Sequence, residues 1–284
     1  MKLSQTGIAI TLAILVVTTS GCGLINRVRA KNELNEAARA YHEGQFVVAE
    51  QHSRRALELD PDSKSAPLFI ARTIHAQFRP GVQAPENIAK ANEAIQAYQR
   101  ILEKDPKNEE AFKAIAYLYG AIKDEEKLRS WLASRANDAS VENEKRAEAY
   151  TILASKDWDC SFKITELPAN KSTTIQPGNK AVVSYKKPQQ EKDFQTAQAC
   201  LKRGLEEIEK AIELDPNSES AWSYKTNLLI EASKIAEMDG KLDQKAQLDK
   251  QREEAQKRTS TLSEANQKKK EEEEARKAAS PAKK

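Results

Sequence analysis

The chain has 284 residues, enough for one elongated domain or two small ones. Although 31% of its residues are charged, the formal net charge is only +3, which argues against a nucleic-acid binder with its strongly basic domain. Nine Gly and ten Pro are few for this length, and the plentiful Ala, Glu, Lys and Leu favour helix over sheet.

At the start of the chain, Lys2 precedes an apolar run from Gly7 to Val17. The run is shorter than the roughly 20 residues that span a bilayer and has the form of a signal-peptide core. Then comes Thr18-Thr-Ser-Gly-Cys22, followed by Gly23. This stretch is similar to the lipobox of bacterial lipoproteins, although Thr19 stands where that family carries Leu, Val or Ile. The resemblance implies a signal peptide over 1–21, a mature chain beginning at Cys22 with lipid on sulfur and nitrogen, and a linker over 22–30. It also implies an extracytoplasmic location at the cell membrane, on the outer membrane facing the periplasm in a Gram-negative cell. Several acyl chains make a firm anchor where one is marginal. In an exported chain the two remaining cysteines, Cys160 and Cys200, fit a disulfide.

Further along, one phrase occurs three times: "ALELDPDS" at 56–63, "ILEKDPKN" at 101–108 and "AIELDPNS" at 211–218. Each reads as the end of a helix, because proline disfavours helical geometry in the residue before it. Five residues before the prolines stand Ala56, Ile101 and Ala211; twelve before stand Ala49, Ala94 and Gly204. Small residues at such positions let two helices approach closely. The pattern resembles the tetratricopeptide repeat, a pair of antiparallel helices about 34 residues long. Phe112 and Trp222 fall at its early aromatic position.

The spacing of the prolines locates what has been added. Pro61 to Pro106 holds one repeat plus the loop Arg79-Pro-Gly-Val-Gln-Ala-Pro-Glu-Asn87. Pro106 to Pro216 exceeds two repeats, and most of the excess is an insertion at 158–190, in which "SFKITEL" and "KAVVSYKK" alternate apolar and polar residues around "PANKSTTIQPGN". That alternation predicts a β-hairpin or an extended flap. The expected architecture is an all-α solenoid over 31–258, with helix pairs at 31–62, 64–107, 109–139, 143–215 and 219–258. A polar last helix suits a capping repeat. Residues 259–284 read as a charged tail, disordered or a frayed helix. With its long loop and lipobox, the chain also resembles lipoprotein-signal tetratricopeptide proteins of environmental bacteria such as acidobacteria.

No catalytic arrangement stands out. His42, His52 and His75 lack the clustering of a zinc site, and there is no phosphate-binding loop or nucleophile elbow. "DWDC" at 157–160 sets two carboxylates beside a Trp and a Cys, but no His base is near in sequence, and a polar helix end is the simpler reading. The chain is therefore read as a non-enzyme, without metal, cofactor, small-molecule substrate or nucleic acid. The repeat family implies that a protein or peptide binds in the concave groove. Counting along the first helix of each pair places Tyr41, His42, Arg72, His75, Lys113, Tyr117 and Asn227 on that groove. Arg72 and Lys113 favour an acidic segment there, while the family's carboxylate clamp is missing, since Leu34 and Ala38 occupy its positions. The alternative reading is a glycan- or peptidoglycan-binding envelope lipoprotein that makes contact through the insertion.

Overall fold

A computed structural model describes the backbone of residues 5–279 and the side chains of residues 23–278 except residue 180. The acylation expected at Cys22 therefore lies outside the described side chains. The architecture is an all-α solenoid with a small two-stranded insertion. Its helices are α1 (Gln5–His42), α2 (Phe46–Leu59), α3 (Ala66–Gln77), α4 (Pro85–Lys104), α5 (Glu109–Ala121), α6 (Glu125–Asn137), α7 (Asn143–Thr165), α8 (Glu191–Leu214), α9 (Glu219–Met238) and α10 (Leu242–Ala279). The strands are β1 (Lys171–Gln176) and β2 (Lys180–Tyr185). The chain divides into two compact units, residues 1–128 and 129–284.

The repeated phrase both ends one helix and starts the next. α2, α4 and α8 stop at Leu59, Lys104 and Leu214, and the following Asp60, Asp105 and Asp215 leave helical geometry with ψ of 86°, 81° and 88°. Two residues after each proline a polar side chain then accepts a backbone N–H of the next helix. Ser63 Oγ accepts from Ala66 at 3.2 Å, Asn108 Oδ1 from Ala111 at 3.0 Å, and Ser218 Oγ from Ala221 at 3.3 Å. Each satisfies one of the amides that a helix start leaves unpaired. Within the pairs, Ala49, Ala56, Ala94 and Ala211 are fully buried. Gly204 marks the tightest approach: a Cβ there would lie 2.7 Å from Leu228 Cδ2 and 3.2 Å from Asp157 Cβ.

In the first unit, the loop between α3 and α4 is pinned by one buried side chain. Asn87 accepts the Arg79 N–H at 2.8 Å and donates to the carbonyls of Arg79 and Val82 at 2.8 and 2.7 Å. The turn between α5 and α6 has Lys123 in the left-handed region, at φ 61°, where the turn between α1 and α2 uses Gly44 at φ 76°.

In the second unit, the insertion differs from the sequence reading at its start. The expected start was Trp158, but α7 continues to Thr165. Trp158 and Phe162 sit one helical turn apart with ring centroids at 4.9 Å, and Ser161 and Thr165 are buried, so this stretch has a helical packing face as well as an alternating one. A hairpin follows, with Lys171 paired to Tyr185 and Gln176 to Lys180. At the carboxyl end, of the disordered tail and the helix that the sequence left open, the described residues form helix. Residues 259–279 continue α10, Leu262 is buried, and Asn266 Nδ2 donates to Glu219 at 2.9 Å. Beyond that point the helix is exposed and supported by pairs such as Lys277–Glu273 at 2.6 Å.

Candidate functional site: an aromatic cleft in the first unit

α1, α3, α4 and α5 together wall an open cleft of about 670 Å³. Its lining includes five of the seven residues selected on the sequence: Tyr41 at the end of α1, Arg72 and His75 on α3, and Lys113 and Tyr117 on α5. They converge because each stands on the first helix of a pair, and successive first helices present equivalent positions to the same side. Ala76 and Ala114 line the cleft between the larger side chains and leave room. His42 is exposed beside Tyr41, with ring centroids at 6.4 Å, and is not part of the lining. Asn227 is half-buried on α9 in the second unit and does not line this cleft.

The walls are aromatic. Tyr41 packs edge-on to Phe46 at 5.3 Å and lies 6.0 Å from Phe69. His75 has Tyr98 edge-on at 5.9 Å and Tyr117 tilted over it at 5.5 Å, and its Nδ1 is 3.4 Å from the Tyr98 hydroxyl. Burial pushes the His75 imidazole below its ordinary value, so it is neutral near pH 7. Burial, with Glu110 adding to it, pushes the Tyr98 hydroxyl up, so it stays protonated. Tyr117 is 51% exposed.

The charge expectation needs correction. Arg72 is engaged by a residue that the sequence did not single out: its Nε and an Nη both donate to the carboxylate of Glu110, in the first turn of α5. Lys113 is also engaged within the structure. The rim therefore carries a closed ion pair instead of an open cationic patch. Phe78 and Tyr98 complete the lining and were likewise missed as site residues. Tyr98 is buried, and its hydroxyl reaches His75.

The second unit holds polar clusters of another kind. Asp157, from the "DWDC" stretch, is 2% exposed and accepts from Arg129 and Arg203 at 2.9 and 2.8 Å. Arg129 also bonds Glu207. Burial pushes the Glu207 carboxyl up to about 7, with the Asp157 charge adding to it and Arg129 opposing. Cys160 and Cys200 form a disulfide between α7 and α8, with α-carbons 6.1 Å apart. Glu231 is 0% exposed, accepts from Thr165 Oγ1 at 2.6 Å, and pairs with Lys234. Lys234 Nζ donates to Glu166 at 2.7 Å and lies 5.0 Å from the rings of both Phe162 and Tyr185. Burial acts to raise the Glu166 carboxyl, but hydrogen bonds from Lys171, Lys234 and Tyr185 prevail and hold it down at about 2. These contacts fasten the base of the hairpin to α7 and α9. Each of these charged side chains is tied to another protein group, which describes a brace. Among the described residues, no group of three or more His, Cys, Asp or Glu is placed to hold a metal ion, and no helix is long and apolar enough to cross a membrane.

Comparison with known proteins adds little to this geometry. The model of the protein prenyltransferase alpha subunit repeat matches residues 201–231, in α8 and α9, which is well under half of the chain. No curated protein matches. Similar solved structures include residues 41 to the end of MamA from Desulfovibrio magneticus, at 13% identity, covering 78% of this chain and 94% of that one, with a TM-score of 0.38. A tetratricopeptide repeat protein from Parabacteroides merdae is 13% identical over 82% of this chain and 97% of that one, with a TM-score of 0.35. The TPR2AB domain of yeast Sti1, solved with pHSP90, is 17% identical over 82% and 96%, with a TM-score of 0.30. Likeness at this level says nothing about function, and the fold stands on the helix pairs themselves.

Proposed function

We propose that the protein is an adaptor of the bacterial cell envelope, tethered by lipid at Cys22, that holds an extended segment of a partner polypeptide in the cleft of its first unit. The observation that carries this reading is the convergence of Tyr41, His75, Tyr98 and Tyr117 from three successive helix pairs on one open cleft. Tyrosine offers apolar area with a polar tip and loses little conformational freedom when it is covered, which suits it to interfaces. With Arg72 already matched by Glu110, an apolar or ring-bearing side chain of the partner fits the cleft better than a carboxylate does.

Two experiments test the reading. A photo-crosslinking residue in place of Tyr117, activated in cells and followed by mass spectrometry, is expected to trap a protein. Adducts formed instead from Ile175, on the exposed face of the hairpin, would move the site to the insertion. With the trapped partner in hand, Tyr117→Ala is expected to weaken binding by about 2 kcal/mol, as buried aromatic anchors do. The unfolding free energy should stay within about 0.5 kcal/mol of the parent's, because the side chain is half exposed. The tether is tested separately: mass spectrometry of the mature chain is expected to find acyl groups on Cys22, and Cys22→Ala is expected to abolish them.

A further inference from the structure

The amino-terminal part of α1 has two faces. Ala30 and Ala37 are buried, and Ala30 packs in a cluster with Ala56 and Ala66 backed by Leu34. Leu24, Ile25 and Val28 are 67%, 54% and 56% exposed. At about 100° per residue these three spread over an arc of roughly 100°, centred opposite Ala30 and Ala37. Lys31 and Arg27 border that arc on one side and Arg29 borders it on the other, all of them exposed. An apolar strip between two basic borders is the pattern of a helix lying in a membrane interface.

The charge distribution along the chain points to the same partner. The first acidic residue of the sequence is Glu33, so residues 1–32 carry four basic residues (Lys2, Arg27, Arg29 and Lys31) and no acidic ones. The rest of the chain holds 46 − 4 = 42 basic and 43 acidic residues, a net of −1. The whole positive excess of the protein thus falls on the segment that contains this face. A protein partner or a second copy would give no reason for that excess to stop where the apolar strip stops, whereas an anionic lipid surface accounts for both.

We propose that residues 24–31 form a docking face for an anionic membrane surface, with Leu24, Ile25 and Val28 entering the headgroup boundary and Arg27, Arg29 and Lys31 pairing with lipid phosphates. This rests on the envelope reading above only in placing the protein at a membrane; the face needs no acyl chain. Tyr41 stands on the same helix, 17 residues beyond Leu24 and so about 25 Å along its axis. The cleft is thereby held within reach of the bilayer, and its partner is a membrane protein or one delivered to the surface.

The test uses the full chain carrying Cys22→Ala, so that no lipid is attached, with vesicles of phosphatidylcholine alone or mixed with phosphatidylglycerol. The apolar run at 7–17 enters both kinds alike, so the preference for anionic vesicles isolates the contribution of charge. At about fivefold per basic residue, three residues give a preference on the order of 100-fold that falls as salt rises. Arg27→Glu/Arg29→Glu/Lys31→Glu should remove that preference. Leu24→Ser/Ile25→Ser/Val28→Ser should weaken binding to anionic vesicles at least tenfold with helical content unchanged. Equal partition of the parent protein between the two vesicle types, or unchanged binding by either triple variant, overturns the proposal. So does a dimer of the parent that the apolar triple converts to a monomer, which would assign the face to a second copy. The mass of Cys22 in the wild-type protein reports acylation independently, so loss of the anchor reading and loss of this one are told apart.

Discussion

In residues 129–284 the acidic side chains Asp157 and Glu231 are buried and each is bonded to at least two partners, whereas in the first unit the ion pair Arg72–Glu110 stands on the rim of an open cleft. Both units are built from the same kind of helix pair. The second bears a six-residue by six-residue hairpin at the end of α7, and its polar clusters sit where that hairpin and α8 join the helices. Among its described residues the first bears no such hairpin, and its cleft is walled by aromatic side chains that run from the buried Tyr98 to the half-exposed Tyr117. Buried charges fix a join because breaking them is expensive, and exposed rings leave a surface ready to be covered.

The contrast breaks most visibly at Lys234. Lys234→Met keeps the length of the side chain but leaves Glu231 buried without its cation. The expected loss is about 3–5 kcal/mol of unfolding free energy, read by urea denaturation. A loss under about 1 kcal/mol would mean that the cluster is not a brace. Reduction of Cys160–Cys200 comes next. The bond closes a loop with a sequence separation of 40, for which chain entropy gives about 4 kcal/mol at most. Cys160→Ser/Cys200→Ser should lower the melting temperature and, because the bridge lies within the second unit, leave binding at the first unit's cleft unchanged.

How much of this was legible in the sequence depends on the range of the interaction concerned. Helix ends at Asp60, Asp105 and Asp215 were readable because proline acts on its immediate neighbour. The caps at Ser63, Asn108 and Ser218 were equally local, and the signal was present in the phrase: a Ser or Asn two residues after each proline. The convergence of Tyr41, Arg72, His75, Lys113 and Tyr117 followed from the repeat register alone. Glu110 was invisible because it meets Arg72 across 38 residues and nothing local marks it. Asp157 was read as a polar helix end for the same reason. Its partners Arg129 and Arg203 lie 28 and 46 residues away. The start of the insertion was misplaced because "SFKIT" suits either period, and the burial of Ser161 and Thr165 decides for helix.

A smaller effect separates the units by pH. The carboxyl of Glu207 titrates near 4.5 when unfolded and at about 7 in the folded chain. Between those values the native state binds more protons. Its contribution to stability is therefore complete below about pH 4.5 and is lost as pH rises through about 7. Its Oε2 is buried and receives no hydrogen bond among the described residues, so nothing at that atom stabilises the ionised form. After allowance for solvent screening, the loss between pH 5 and pH 8 is about 1 kcal/mol. Glu207→Gln should flatten that slope in the unfolding of the second unit. An unchanged slope would show that the carboxylate is ionised throughout and fully matched by Arg129.

The smallest effect expected is at the rim of the cleft. Arg72 and Glu110 are 43% and 40% exposed, so their attraction is weakened by water and by salt. A double-mutant cycle with Arg72→Gln and Glu110→Gln should give a coupling of about 0.5 kcal/mol in stability. Its value lies in what it separates for binding. If the partner is held by the aromatic walls, its affinity hardly changes between low and high salt, and the double variant binds nearly as well as the parent, because both charges vanish together. If the partner is an acidic segment that displaces Glu110 from Arg72, Glu110→Gln alone binds more tightly, Arg72→Gln alone binds more weakly, and salt weakens the parent complex. The first pattern keeps the contrast between an aromatic first unit and an ionically braced second one. The second pattern would turn the rim ion pair into a gate that the ligand opens, and would restore the acidic ligand that the sequence suggested.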